Sequence, residues 1–275
     1  MKRNLKFDTY TIVTVVALLL AAISWIAESG LFAMPHAKHV NSDSICSGLE
    51  IPALQNGQPE QIIEHLAYTV SYNHDWLIPN WVAYELTDRE SDGEQGRTNA
   101  FMPDPLVKGD PVVTYDYTKS GYDRGHMAPA GDMKWSEQAM RESFYMTNIC
   151  PQNHNNNAGD WKSLEELARD WARRYRNVYI CCGPIVSDNP EYIGKNHRIT
   201  VPSAFYKVFL RQKSNGDWTA IGFMMPNQAG SRPLMTYMHS VDEIESITGI
   251  DFFPNLPDDI EIVVEADYTI SDWSI

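Results

Sequence analysis

Trp161, Leu164, Ala168, Trp171 and Tyr175 recur at helical spacing, so residues 161–175 predict an amphipathic helix whose aromatic stripe must be covered by another layer. Sheet material lies on both sides of it in sequence. Residues 67–72, 81–86, 112–117, 144–149, 178–185, 204–210, 218–224 and 260–266 are rich in β-branched, aromatic or apolar residues and read as strands. Residues 73–80, with Pro79, read as the connection between the first two. Residues 136–144 and 241–248 read as short helices, the first with Ser136 as its N-cap. Strands and helices alternate without the regular spacing of βαβ units, which favours an α+β fold over a doubly wound parallel sheet.

A chain of 275 residues with 43% hydrophobic content can bury a sizeable core. Lys2, Arg3 and Lys6 precede an apolar run over residues 12–26 that Glu28 closes, the pattern of an export signal or an uncut anchor. Residues 1–30 are therefore expected to carry a signal peptide or membrane tether, 31–50 a linker containing His36 and His39, and 51–275 a single folded domain. The expected location is outside the cytoplasm: periplasmic, secreted or membrane-tethered facing outward. Cys46, Cys150, Cys181 and Cys182 allow three disulfide pairings, and the sequence does not choose among them. Adjacent Cys181 and Cys182 must point to opposite faces of a strand. The net charge of −14 argues against a generally nucleic-acid-binding surface, but it is unevenly spread. Ten Asp or Glu and no Lys or Arg fall in residues 241–275, whereas residues 162–176 are locally basic.

The stretch from Tyr122 to Arg174 carries the chemistry. Arg124-Gly125-His126 in an extended segment puts a guanidinium and an imidazole on one side, with a glycine that permits close approach. Asn157, Trp161 and Glu165 follow at i, i+4 and i+8, so a helix starting near Asn157 would set an amide oxygen and a carboxylate on one face. An imidazole suits proton abstraction near neutral pH, and a hard cation such as Mg²⁺ takes few protein oxygens and keeps several waters. Arginine forks match phosphate. Taken singly, each of these residues has an ordinary structural explanation: a packed histidine, a helix-capping Asn157, a solvated Glu165, a surface Arg97, an Asp123 that caps a turn or holds Arg124. The combination is what phosphodiester hydrolysis requires.

Asp123-Arg124-Gly125-His126 with Ala128-Pro129-Ala130 resembles the signature of the DNA/RNA non-specific endonucleases, the ββα-metal nucleases. The likeness runs through Thr147-Asn148-Ile149-Cys150-Pro151-Gln152, Asn157-Ala158-Gly159-Asp160-Trp161 and Leu164-Glu165. It extends to Pro79–Tyr84 upstream and to segments near 201–207, 225–228, 240–245 and 249–254 downstream, about residues 60 to 257 in all. The resemblance implies a mixed, largely antiparallel sheet with flanking helices and a ββα-metal finger carrying the active site. It implies endonucleolytic cleavage of DNA and RNA with Mg²⁺ as cofactor and Mn²⁺ as its substitute. By position it makes His126 the general base, Asn157 the direct metal ligand and Glu165 the carboxylate that orients metal-bound waters. Arg124, Asn148 and Arg97 match residues that contact phosphate or steady the transition state. Cys150, Asn156 and His154 depart from the usual pattern around the metal loop without removing a required group. A phosphodiesterase for another diester and a non-catalytic binding module are the rival readings. A homodimer or an inhibitor protein as partner is left open.

Overall fold

The strands on either side of the aromatic helix form one sheet, and that helix lies across it. A computed structural model describes residues 48–55, 57–228 and 230–275. In chain order the elements begin β1 (Ala53–Leu54), β2 (Gln61–Glu64), β3 (Thr69–Asn73), β4 (Ile78–Thr87) and β5 (Asp123–His126). Then come helix α1 (Glu137–Glu142), β6 (Ile149–Gln152), α2 (His154–Ala158), α3 (Asp160–Tyr175), β7 (Asn177–Ile185), β8 (Glu191–Ile193) and β9 (Ile199–Val201). The chain ends with β10 (Ala204–Gln212), β11 (Trp218–Pro226), β12 (Met238–His239), α4 (Val241–Thr248), β13 (Ile250–Asp251) and α5 (Asp258–Ala266). Seven strands make the main sheet in the order β12-β11-β10-β7-β4-β3-β2, with every ladder antiparallel. This is an α+β architecture with few helices.

The central strands are apolar on both faces because both are covered. Val82, Tyr84, Cys182, Phe205 and Phe209 face the core beneath α3, where Trp161, Leu164, Ala168 and Trp171 are buried. The intervening residues Trp81, Ala83, Cys181, Val208 and Leu210 face a second core closed by Val241 and Ile244 of α4 and Val264 of α5. Cys181 and Cys182 thus lie on opposite faces, and Cys150, Cys181 and Cys182 are all free and buried. The described residues belong to one compact unit, Asn41–Ile275. The proposed signal or anchor, the linker histidines and Cys46 lie outside the described residues. Among the described residues no helix is long and apolar enough to cross a membrane.

Four local expectations are corrected. Residues 114–117 form a 3₁₀ turn instead of a strand, because Asp116 turns inward and accepts from the Val113, Lys195, Asn196 and His197 backbone N–H groups. Residues 260–266 are helical, not a strand. Three acidic residues in the first turn of α5 complement the helix dipole, and Ile262 and Val263 are left exposed. Residues 146–148 form another 3₁₀ turn, so strand β6 starts only at Ile149. Pro79 and Asn80 lie inside β4; the reversal is tighter than expected because Asn73 Oδ1 accepts from the N–H groups of Asp75 and Trp76.

Candidate active site

Strands β5 and β6 pair antiparallel in the register Asp123 to Gln152, Arg124 to Pro151, Gly125 to Cys150 and His126 to Ile149. Helices α2 and α3 follow β6, which completes a ββα finger against the main sheet. Gly125 is needed for a reason other than approach of a substrate. A Cβ there would meet the buried Gln152 side chain at 2.1 Å from Oε1 and 2.6 Å from Cβ. His126 ends β5 at the base of the finger, where the Trp161 indole N–H donates to its backbone carbonyl at 3.2 Å.

The His126 ring packs edge-on against Phe144 at 4.9 Å and tilted against Phe101 at 5.3 Å. Two guanidinium groups cap this aromatic cluster. Arg124 lies 4.2 Å from the centre of the Phe101 ring, and Arg97 lies 5.2 Å from that of Phe144. Arg97 therefore is not an isolated loop residue, although its side chain is exposed and its Nε donates to Asn99 Oδ1 at 2.7 Å. Burial, with Arg97 and Arg124 alongside, drives the His126 pKa down to about 3. The ring is neutral at any physiological pH, and its Nε2 is buried without a hydrogen-bond partner.

Asn157 and Glu165 are not on one continuous helix. α2 stops at Ala158, and Gly159, at φ −110° and ψ −107°, breaks the axis before α3 begins at Asp160. A Cβ at Gly159 would sit 2.4 Å from the Asn155 carbonyl oxygen. Asn157 is instead oriented by Asp123, whose Oδ2 accepts from Asn157 Nδ2 at 2.9 Å and also meets His154 Nδ1 at 2.9 Å. Asp123 thus holds Asn157 and His154 across from β5, not Arg124 or a turn. With its nitrogen spent on Asp123, Asn157 has its amide oxygen left as the donor atom for a cation. Glu165, half-buried on α3, has its pKa raised to about 7. Burial is the main cause; Lys207 opposes it, Asp132 adds to it, and Arg169 and Arg97 oppose it.

Asn148 does not reach the surface. It is fully buried, its Nδ2 donating to the carbonyls of Ala128 and Ser143 at 2.8 and 2.9 Å and its Oδ1 accepting from Ala128 N at 2.9 Å. These bonds clamp the loop just past His126. Sequence reasoning passed over Asp123 as an orienting group, and also Phe101 and Phe144. Only the Asp123-to-Asn157 spacing across two elements could have hinted at the first, and no periodicity encodes it. A cleft of about 290 Å³ opens beside these groups, lined by Asp123, Arg124, Asn157, Phe101, Tyr117 and Tyr122 among others.

An antiparallel sheet carrying a ββα finger, with imidazole, paired arginines, an oriented amide and a half-buried carboxylate converging on it, defines the ββα-metal nuclease class. The chain belongs to the DNA/RNA non-specific endonuclease family, whose model matches residues 47–259. It is 40% identical over 222 residues to mitochondrial nuclease EXOG of Danio rerio, covering 73% of this chain and 64% of that protein. It is 32% identical over 210 residues to mitochondrial endonuclease G of Homo sapiens, covering 71% and 70%. Among solved structures, one described as the EndoG/EndoGI complex and the mechanism of EndoG inhibition matches with a TM-score of 0.67 at 29% identity, covering 72% of this chain and 88% of that one. The chain spans about three fifths of the length of three of the EXOG proteins it matches, at 64%, 59% and 60%, and 72% of a fourth.

Proposed function

We propose that this chain is a Mg²⁺-dependent, sugar-non-specific endonuclease that hydrolyses phosphodiester bonds of DNA and RNA. The observation that carries the reading is the single cluster formed by His126, Arg97, Arg124 and Glu165 beside an Asn157 whose amide nitrogen is tied to Asp123. The donor set fits a hard cation: an amide oxygen from Asn157, on the wall of a cleft of about 290 Å³ with room for water, and a carboxylate from Glu165. Asn157 would hold Mg²⁺ directly and Glu165 through water; Mn²⁺ has the same donor preference. When bound, the ion supplies a Lewis acid for the phosphoryl oxygen and the leaving oxygen.

The chain's own residues do the rest. The neutral His126 ring accepts a proton from the attacking water. Because Nε2 is sealed from solvent, Nδ1 is the nitrogen for that task. Arg124 and Arg97 offset charge that builds on the phosphate, and their stacking on Phe101 and Phe144 limits the freedom they must lose on binding. Phosphate-directed groups carry no base information, which supports cleavage without sequence preference. Export or tethering through residues 12–26 belongs to the same reading and is checked by fractionation of the native producer.

Plasmid DNA and total RNA are incubated with the chain in Mg²⁺ or chelator, beside His126→Ala. Cutting of both substrates that stops with chelator and with the substitution is the expected result. If neither nucleic acid is cut in any divalent metal while a small diester is, the nucleic-acid assignment fails. If His126→Ala cuts at the parental rate, the proton-transfer assignment fails.

A further inference from the structure

On the sheet face opposite the finger, α4 and α5 bring carboxylates together with no counter-charge. Asp242 and Glu245, one turn apart on α4, and Glu265 of α5 each place an oxygen within 4.8 Å of the others. Asp251 in β13 and Glu261, one turn before Glu265, add to the negative field. Among the described residues, none of the ion pairs to Lys, Arg or His involves any of these five carboxylates. Glu265 is only 5% exposed, and its Oε1 is buried with no hydrogen-bond partner. A bare carboxylate oxygen costs several kcal/mol of solvation unless something positive or protic meets it. Among the described residues, the titratable side chains that approach it within 4.8 Å, Asp242 and Glu245, bring further carboxylate oxygens.

We propose that Asp242, Glu245 and Glu265 form a second divalent-cation site, of Ca²⁺ type, that ties α4 to α5 and is separate from the catalytic centre. The site has the right chemistry for that ion. Ca²⁺ accepts six to eight oxygens in irregular geometry, and the exposed Asp242 leaves one side open for waters, whereas Mg²⁺ demands a near-octahedral shell. Glu245 spends one oxygen on the Phe252 N–H at 2.7 Å and keeps the other for the ion. The linkage would brace two helices that close the second core through Val241, Ile244 and Val264.

The test is thermal unfolding of the full chain in chelator, Ca²⁺ or Mg²⁺. Parent and Asn157→Ala are compared with Glu265→Gln and with the exposed-residue variant Asp242→Asn. Ca²⁺ at about 100 times its Kd should raise the Tm of parent and Asn157→Ala alike by roughly 5–10 °C. That rise should vanish in Glu265→Gln and shrink in Asp242→Asn, while both variants still cut DNA in Mg²⁺ at the parental rate. An equal rise in parent and Glu265→Gln would place the ion elsewhere. No rise in any protein would mean the carboxylates are satisfied by protons alone, and an equal response to Mg²⁺ would overturn the Ca²⁺ assignment. If Glu265→Gln does not fold, an undiminished rise in Asp242→Asn overturns the site.

Discussion

A histidine packed between two phenylalanines and faced by two guanidinium groups loses its charged form first, which on the proposed reading leaves His126 neutral to take up a proton. On the proposed reading, the ionisation that limits activity on the acid side belongs to Glu165, whose carboxyl burial raises to about 7. Its carboxylate form is the one that would hold metal-bound water in the proposed mechanism. Activity therefore rises as pH climbs through about 7, and added Mg²⁺, which favours the charged form, moves the rise to lower pH. Profiles of kcat/KM at low and high Mg²⁺ should show that displacement, and Glu165→Gln should erase the limb along with most activity. A limb fixed near 6.5 at every Mg²⁺ level would point back to the imidazole. His126→Ala should lower kcat by about 10²–10⁴-fold with little change in Mg²⁺ affinity, which titration of the two proteins would reveal. At this scale the Asp-Arg-Gly-His pattern singles out His126, with Asn157 and Glu165, as the candidate residues, and the structure gives His126 its aromatic packing and Asn157 its Asp123 partner. The burial of Asn148 is not legible in the sequence, because three backbone partners from 128 and 143 meet it only after folding.

Between elements, the decisive contact joins β5 to α2 through Asp123 and Asn157. An amide is a weak metal ligand unless its oxygen is turned to the ion, and on the proposed reading Asp123 does that turning by accepting from the nitrogen. Asp123→Ala should raise the Mg²⁺ concentration needed for half-maximal activity by about 10–100-fold, with kcat at saturating Mg²⁺ much less affected. A kcat loss with unchanged Mg²⁺ dependence would refute the orienting role. The helix period that groups Asn157 with Glu165 in the sequence fails because it assumes an unbroken axis, and Gly159 interrupts it. The 3₁₀ turn at 114–117 has a similar lesson. Its apolar residues look like a strand, yet Asp116 gathers backbone N–H groups from 195–197 and the His197 ring at 2.6 Å. Burial works against the ionised Asp116, but these donors outweigh it and hold its pKa down to about 2. A depressed folded-state value means stability present above the unfolded value near 4 and lost as pH falls towards 2. Asp116→Asn should thus cost about 2 kcal/mol at pH 7 and much less at pH 2, read by urea unfolding at the two pH values.

Across the whole molecule, most of the sheet's strands show as apolar runs in the sequence, whereas their order appears only in the folded ladders. What closes the molecule at its end shows no such run. The family match stops at residue 259, and the segment beyond it is acidic. Yet Trp273 is completely buried, 4.7 Å from Trp171 of α3 and 6.3 Å from Phe209 of β10, with its backbone carbonyl accepting from the Trp171 indole. Arg211 stacks over it at 5.1 Å and donates to the Asp272 carbonyl, while Lys213 pairs with Asp272 at 3.3 Å. One tryptophan among acidic residues gives no periodic signal, so only the folded partners disclose it. The tail is a plug that holds α3, and with it Glu165 and the Trp161 contact to His126, down on the sheet. Trp273→Ala leaves a large cavity beside Trp171 and should cost about 3–5 kcal/mol, a fall in Tm of roughly 10 °C. Since Trp273 sits at the far end of α3 from Trp161, cleavage well below the new Tm should proceed at nearly the parental kcat, with activity vanishing earlier on heating. A variant with parental Tm would mean the tail merely rests on the helix, and one with a low kcat even in the cold would mean α3 transmits the defect along its length to the site.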